Sequence, residues 1–413
     1  MNTALPIESP RNVATDYRVY LVSDAAHLDE LEREWGALFD IAPTASPPLR
    51  WEWVREWWRI FGPVYGDRGR GLRLITVRRG PDLIGVLPIY QRTTSGPWGA
   101  RQLRFISSGE AEFEETCAEY LDLLHAPQES RACIEVISRF LNSLGWDEFC
   151  LSDMSDQSPL LRFRGRPENW IRRVRVTTVG PCYVFDISGG FEAYLGRLSH
   201  KNRQQARKLL RAVDQAGLTF DLATNGELIT TYFDQMVTLH KERWTAVGKT
   251  SSFAPRHAEF HRSMAHLLAP TGAVVLARLA LGKTPFAVVY GHRVGEKMYC
   301  YQQGVAPESD VLRSPGTVAW LLLMRTMAEQ GVTLFDQQSG TSGFKERFAT
   351  GEHPLAEMRV ARPTLRHMAT ATVDLARRGT AKLVRRLKKP SLSGQPLLGK
   401  DPVSLPREPV KKV

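Results

Sequence analysis

The residues best suited to chemistry lie in one run, Phe335-Asp-Gln-Gln-Ser-Gly-Thr-Ser-Gly-Phe-Lys-Glu-Arg-Phe348. Asp336 reads as the end of a short buried strand. Gly340 and Gly343 then make a turned loop that presents Phe344 and Lys345. An ammonium such as Lys345 can hold a developing oxyanion, a phosphate or an acidic acceptor, and Asp336 can orient it or accept a proton. The same residue types also serve as turn caps and solvated surface charges. Phe344 beside Lys345 is unusual for a solvated loop and tilts the reading toward a site.

Just upstream, Arg313-Ser-Pro-Gly-Thr317 suits the start of a helix. Ser314 can cap it, Pro315 tolerates the first turn, and Gly316 allows close approach of a ligand. The unpaired N–H groups of Gly316 and Thr317 and the helix dipole could then bind a pyrophosphate beside Arg313. Without a ligand, apolar Val318, Leu321, Leu322 and Met324 make the same segment an ordinary core helix. A second cationic feature is the helix over 199–213. Lys201, Arg203, Arg207, Lys208 and Arg211 line one face, opposite Leu198, Ala206, Leu209, Leu210 and Val213. Arg203 and Arg207 could attract cofactor phosphates or an anionic acceptor. A solvated charged face is the ordinary alternative.

In Leu239-His-Lys-Glu-Arg-Trp244, His240 is a candidate acid–base group and Trp244 could stack on a sugar or a base. A His and a Trp near a helix end more often serve packing. His257, His261 and His266 lack metal-ligand spacing, and Cys117, Cys133, Cys150, Cys182 and Cys300 form no CxxC pair. No metal is expected, and the cysteines read as reduced core thiols of a cytoplasmic protein. Zinc motifs, a GxSxG elbow, a Walker A loop and GxGxxG are all absent.

These residues need elements to hold them, and the elements repeat. Strand, turn and strand over 72–92 return over 273–293. Each hairpin is followed by strand-like sequence, a helix and a strand. The helices are expected over 129–144 and 316–330, stopped by Gly145 and Gly331, and lead into strands at 146–152 and 332–336. Helical stretches open both copies, at 27–39 with the aromatic run Trp51, Trp53, Trp57, Trp58 and Phe61, and at 191–216 and 227–244. Two tandem α/β modules follow, at 17–178 and 179–362, with a disordered N-terminus at 1–16 and a basic helix and disordered tail at 363–413.

The 413 residues can fill two cores. Residues 363–413 carry twelve Lys or Arg and three Asp or Glu, hence nine of the eleven net positive charges. The rest is close to neutral, which argues against a nucleic-acid-binding body. The basic tail could make weak contact with an anionic membrane surface, peripheral to the inner membrane. The N-terminus has no apolar stretch of signal-peptide type, and no span of membrane length lacks charge.

Taken in order, the segment from Leu195 through Arg207, the segment from Leu239 to Trp244, Ala287-Val-Val-Tyr290, Tyr299-Cys-Tyr-Gln-Gln-Gly304, Ser314 to Thr317, and Phe335-Asp336 followed by Gly343-Phe-Lys345 resemble the CelD-like group of GNAT acyltransferases. That group is linked to cellulose and exopolysaccharide biosynthesis and is distantly similar to Fem peptidoglycan ligases. The resemblance covers 182–348. It departs from the family where Phe344 replaces the usual Tyr, and where residues 312–317 replace the usual Gly-rich pyrophosphate loop. It implies tandem GNAT-like modules, each a mixed, mainly antiparallel sheet flanked by helices. It also implies acetyl transfer from acetyl-CoA to an amine or hydroxyl of a small-molecule or glycan acceptor, in association with polysaccharide-synthesis machinery. On that reading Arg313, Ser314, Gly316 and Thr317 hold the cofactor phosphates, Asp336, Lys345 and His240 are catalytic, and Arg203, Arg207, Trp244 and Phe344 meet the substrate. The alternatives are a Fem-like transferase using aminoacyl-tRNA, an acyl-carrier-protein-dependent acyltransferase, and a non-catalytic scaffold.

Overall fold

The computed structural model describes residues 17–96, 98–165, 173–340 and 342–368. The expected N-terminal segment 1–16 and most of the expected basic helix and tail lie outside them. The first copy runs β1 (Tyr17–Val22), α1 (Ala25–Glu30), α2 (Glu32–Ile41), α3 (Trp51–Tyr65), β2 (Leu74–Arg79), β3 (Asp82–Leu87), β4 (Ile89–Thr93), β5 (Arg101–Phe105), β6 (Leu124–His125), α4 (Ser130–Ser143) and β7 (Glu148–Ser155). The second runs β8 (Arg173–Asp186), α5 (Phe191–Arg197), α6 (His200–Ala216), β9 (Thr219–Leu222), α7 (Gly226–Ala246), α8 (Pro255–Leu268), β10 (Val274–Leu281), β11 (Thr284–Val294), β12 (Lys297–Val305), α9 (Pro315–Glu329), β13 (Leu334–Ser339), α10 (Gly343–Phe348) and β14 (Gly351–Ala361). The expected module boundary at 178/179 falls inside β8.

Each copy contains one parallel pair joined through a helix. β5 pairs with β7 at Gln102–Arg104 against Glu148–Cys150, and β12 pairs with β13 at Lys297–Tyr299 against Leu334–Asp336. Pairing stops after three residues in both, and the strands then diverge. The copies are fused by β14, which lies antiparallel between β7 and β8 in a ten-stranded sheet. Leu355, Ala356, Met358 and Val360 of β14 are buried there. The first copy also has a four-stranded sheet, ordered β1-β2-β3-β6.

The aromatic run explains a second join. Trp53, Trp57 and Phe61 recur every four residues, so one face of α3 carries all three into the core. Trp53 meets Phe260 of α8 edge to face at 4.9 Å, and Phe61 meets the same ring at 6.0 Å. Four local expectations are corrected. The helix expected over 191–216 breaks at Leu198, because Ser199 caps a new helix by accepting from Asn202 N. The helix expected over 27–39 is likewise two, α1 and α2. The strand expected to end at Asp336 continues to Ser339, and the following loop is α10, capped by Ser342, which accepts from Lys345 N. Four cysteines are buried, but Cys117 is exposed. No helix among the described residues is long and apolar enough to cross a membrane.

Candidate functional site

Asp336 sits inside β13, next to a break in its pairing with β8. Register is lost between Asp336 and Ser339, and Gln338 takes a left-handed backbone at φ 55°. Asp336 Oδ1 accepts from Gln338 N at 2.7 Å and so holds the bulge. Its other oxygen, Oδ2, accepts from the Tyr120 hydroxyl at 2.5 Å, with His353 Nε2 3.7 Å away. Lys345 reaches back from α10 and donates to the carbonyl of Ser339 at 2.7 Å. Ser339 in turn donates from Oγ to Glu119 Oε1 at 2.5 Å. Asp336 and Lys345 therefore share one polar centre, as their spacing suggested, and the first copy completes it with Glu119 and Tyr120.

Burial sets the charge states. Asp336 is 4% exposed, and burial raises its pKa against the Tyr120 and Gln338 hydrogen bonds, which lower it. Burial likewise pushes the Glu119 carboxyl up to about 7, opposed by the Ser339 hydroxyl. Desolvation lowers the Lys345 pKa, while the Glu119 carboxylate raises it. The centre borders a cleft of about 320 Å³ between the diverging ends of β5 and β7, which Glu119 and Ser339 help to line. Non-glycine residues with positive φ gather around it: Ser107, Cys117, Tyr120, Asp153 and Gln338. Such backbone is costly and persists where the surroundings impose it, commonly at sites.

The other sequence candidates lie elsewhere. Ser314 does not cap α9. It has φ 52°, and both its N and Oγ donate to Glu308 Oε1. The space a side chain would need at Gly316 is filled by Gln303 Oε1, 2.8 Å from the ideal Cβ position, so that glycine serves helix–strand packing. Arg313 is exposed, and Thr317 lies in the same first turn. Arg207 pairs with Glu192 at 2.9 Å and Arg203 donates to the Gly196 carbonyl, both on α6. Asn202, also on α6, donates to the Arg347 carbonyl and ties that helix to α10. His240 bonds Ser251 through Nδ1 and accepts from Trp244 at Nε2, and burial pushes it down to about 4. Phe344 is half-buried, edge-on to Phe185 at 5.5 Å and packed on Phe348, at the margin of the second copy's core. The structure thus groups Asp336 and Lys345, and sets Arg203, Arg207, His240, Trp244 and the start of α9 on other elements. Among the described residues no group of three or more His, Cys, Asp or Glu is arranged for a metal ion.

The residues that motif reading passed over are Glu119, Tyr120 and His353. Five glutamates fall within positions 110–119, interrupted by Phe113, Cys117 and Ala118. Acids threaded with apolar residues were the available signal.

Comparison with known proteins gives the same architecture. Residues 200–346 match the family model described as an acetyltransferase (GNAT) domain. The chain superposes on the crystal structure of FemX with a TM-score of 0.56 and 11% identity, covering 83% of this chain and 98% of that one. A conserved protein of unknown function from Bacteroides thetaiotaomicron superposes with a TM-score of 0.50 and 11% identity, covering 83% and 99%. A sequence search of curated proteins finds no match. The expected α/β fold of two GNAT-like modules, with mixed, mainly antiparallel sheets flanked by helices, is the observed one.

Proposed function

We propose that this protein is an acyltransferase that moves acetyl from acetyl-CoA to an amine or hydroxyl of a saccharide or cell-envelope precursor, by direct attack on the thioester. The observation that carries the reading is the polar centre built by both copies, in which Tyr120 donates to Asp336 beside Lys345 and Glu119. The acetyltransferase-domain match over 200–346 supports the reaction class. The pantetheine arm enters where β12 and β13 part beyond Tyr299 and Asp336, and its phosphates lie at Arg313 and the first turn of α9. Lys345 has an N–H beyond those given to the Gln338 and Ser339 carbonyls, and offers it as a hydrogen bond to the negative charge that develops on the thioester oxygen. Asp336 keeps Tyr120 in place. No covalent enzyme intermediate is needed, and the site contributes mainly orientation and electrostatics.

A thermal-shift series with acetyl-CoA, longer acyl-CoAs and free CoA tests the donor. Saturation at about 100 times Kd should add about 2.7 kcal/mol of stability, and the absence of a shift with every thioester would remove the CoA reading. Glu308 gives a sharper check. Its carboxylate now takes the Ser314 donors where the phosphates would lie, so Glu308→Ala should tighten acetyl-CoA binding several-fold. Unchanged affinity would place the phosphates elsewhere.

An aminoacyl donor is the second reading, supported by the exposed basic face of α6 at Lys201, Arg207, Lys208 and Arg211, tied to α10 through Asn202. Transfer from charged tRNA that falls steeply with salt, without turnover of acetyl-CoA, would favour it.

A further inference from the structure

We propose that the cleft between the diverging ends of β5 and β7 is the acceptor site, that it selects a small molecule carrying both a primary ammonium and an anionic group, and that Glu119 takes the ammonium's proton. The proposal rests on the acyltransferase reading for its chemistry, although the binding site stands on its own geometry. In the second copy, the corresponding divergence of β12 and β13 is where the donor was placed. The first copy repeats that opening and lines it with a different set of charges.

Carboxylates of Glu110, Glu115, Glu119, Asp153 and Glu357 line the cleft, together with the guanidinium groups of Arg104 and Arg359. The buried acids of this loop are not equivalent. Glu110 Oε1 accepts from Trp57 Nε1 and Thr116 Oγ1, and Asp122 Oδ1 accepts from Ser158 Oγ and Leu123 N, so both are held by fixed donors. Glu119 is 6% exposed and uses only Oε1, which accepts from Ser339 Oγ and N. Its Oε2 is sealed from solvent and lacks a hydrogen-bond partner. A buried carboxylate oxygen without a donor is costly, and an ammonium supplies three donors to one point. Glu119 also faces Asp153 of β7 and Asp336 and Lys345 of the second copy, so Lys345 is the cation that balances these acids before an acceptor arrives. Arg359 is exposed, and Arg104 uses its Nε on Gln102, which leaves the terminal nitrogens for a carboxylate or phosphate.

The step balances. The ammonium gives one proton to the Glu119 carboxylate, and the free amine attacks the thioester carbonyl. A C–N bond forms and the C–S bond breaks. The second proton lost by nitrogen ends on the leaving thiolate, so the products are the amide, the thiol and protonated Glu119, which then releases its proton to water. A carboxyl that burial holds near neutral pH is suited to this cycle.

The test uses the full chain, acetyl-CoA and three probe sets: the common amino acids, their methyl esters, and matched amino alcohols with a neutral hydroxyl in place of the carboxylate. Product mass and thiol release are read together. Amino acids should outperform both other sets. Arg359→Ala should raise KM for the amino acid and leave KM for its methyl ester unchanged. Glu119→Gln keeps an oxygen to accept from Ser339, and should lower kcat/KM by about 10²-fold or more and abolish the rise in rate through pH 7, with acetyl-CoA binding unchanged. Transfer to hydroxyls in preference to amines, or a Glu119→Gln enzyme with the wild-type pH profile, would overturn the proposal while leaving the acyltransferase reading intact. If no thioester binds, the acyltransferase reading fails instead. The cleft is then judged by calorimetry alone, where amino acids must bind wild type more tightly than Glu119→Gln, and equal binding or none refutes it.

Discussion

Asp336→Asn should lower acyl transfer by about 10²–10³-fold while the protein stays folded and becomes more stable at neutral pH. Asparagine keeps the shape of the side chain, so its oxygen can still accept from Gln338 N and hold the bulge. It lacks the charge that fixes the Tyr120 hydroxyl and balances Lys345. The stability sign follows from linkage. Burial raises the folded pKa of Asp336 above the ordinary aspartate value of 3.8. Its contribution to stability is therefore fully present below pH 3.8 and is lost as pH rises through the folded value. The Asn variant carries no such loss, so its advantage in urea unfolding should be present at pH 8 and absent near pH 3.5. Tyr120→Phe should cost a similar factor in rate. Because the two side chains act as one hydrogen-bonded pair, the double variant should lose little more than either single one. Additive losses would show that Tyr120 and Asp336 act separately, and an active Asp336→Asn enzyme would remove this centre from the reaction.

Acid should destabilise the protein through histidines buried where the copies meet, and His292→Phe should remove a measurable part of that sensitivity. His257, His261 and His292 are at most 1% exposed, and four of their ring nitrogens lack a partner: His257 Nδ1, His261 Nε2 and both of His292. Trp53 of the first copy packs edge to face on His292 at 5.2 Å and on His261 at 5.8 Å. Burial, reinforced by Arg50, pushes His292 down to about 3. A histidine depressed in this way gives stability that is complete above the unfolded pKa of about 6.5 and is lost as pH falls toward the folded value. Each such group contributes about 1.4 kcal/mol per pH unit in that window, so at pH 4.5 the variant should have gained about 2.7 kcal/mol relative to wild type, compared with pH 7. Glu119 and Asp122, both pushed up to about 7, work in the opposite direction over the same range. The difference between variant and wild type isolates the histidine, since the carboxyls are common to both. Parallel stability curves from pH 7 to 4.5 would refute the assignment. At pH 7 Phe should cost little, because no hydrogen bond of His292 is lost.

Much of the scaffold was legible in the chain. The hairpins at 72–92 and 273–293 announce themselves by apolar runs around turn residues, and α4, α7 and α9 lie within two residues of their expected limits. These are local signals, read over a few residues. The errors were local competitions of a subtler kind. Ser199 could continue a helix or cap a new one, and Ser342 could sit in a loop or start α10. In each case a side chain that accepts from the backbone N–H three residues ahead decided the outcome. The bulge at Gln337 and Gln338 left no trace in composition, because its cause is the mismatch between β13 and β8.

By itself, then, the sequence determined the order of elements, the two-copy architecture and the nearness of Lys345 to the end of β13, since a few residues of chain can only reach so far. It could not show that β14 would enter between β7 and β8, because many apolar strands would satisfy those edges equally well. That insertion, with Trp53 packed on α8, brings the copies together and sets Tyr120 against Asp336 across 216 positions of sequence. It also leaves Glu119 with one oxygen bonded to Ser339 and one without a donor. Whether a glutamate is a solvated charge or a buried base depends on what covers it, and only the tertiary structure decided that.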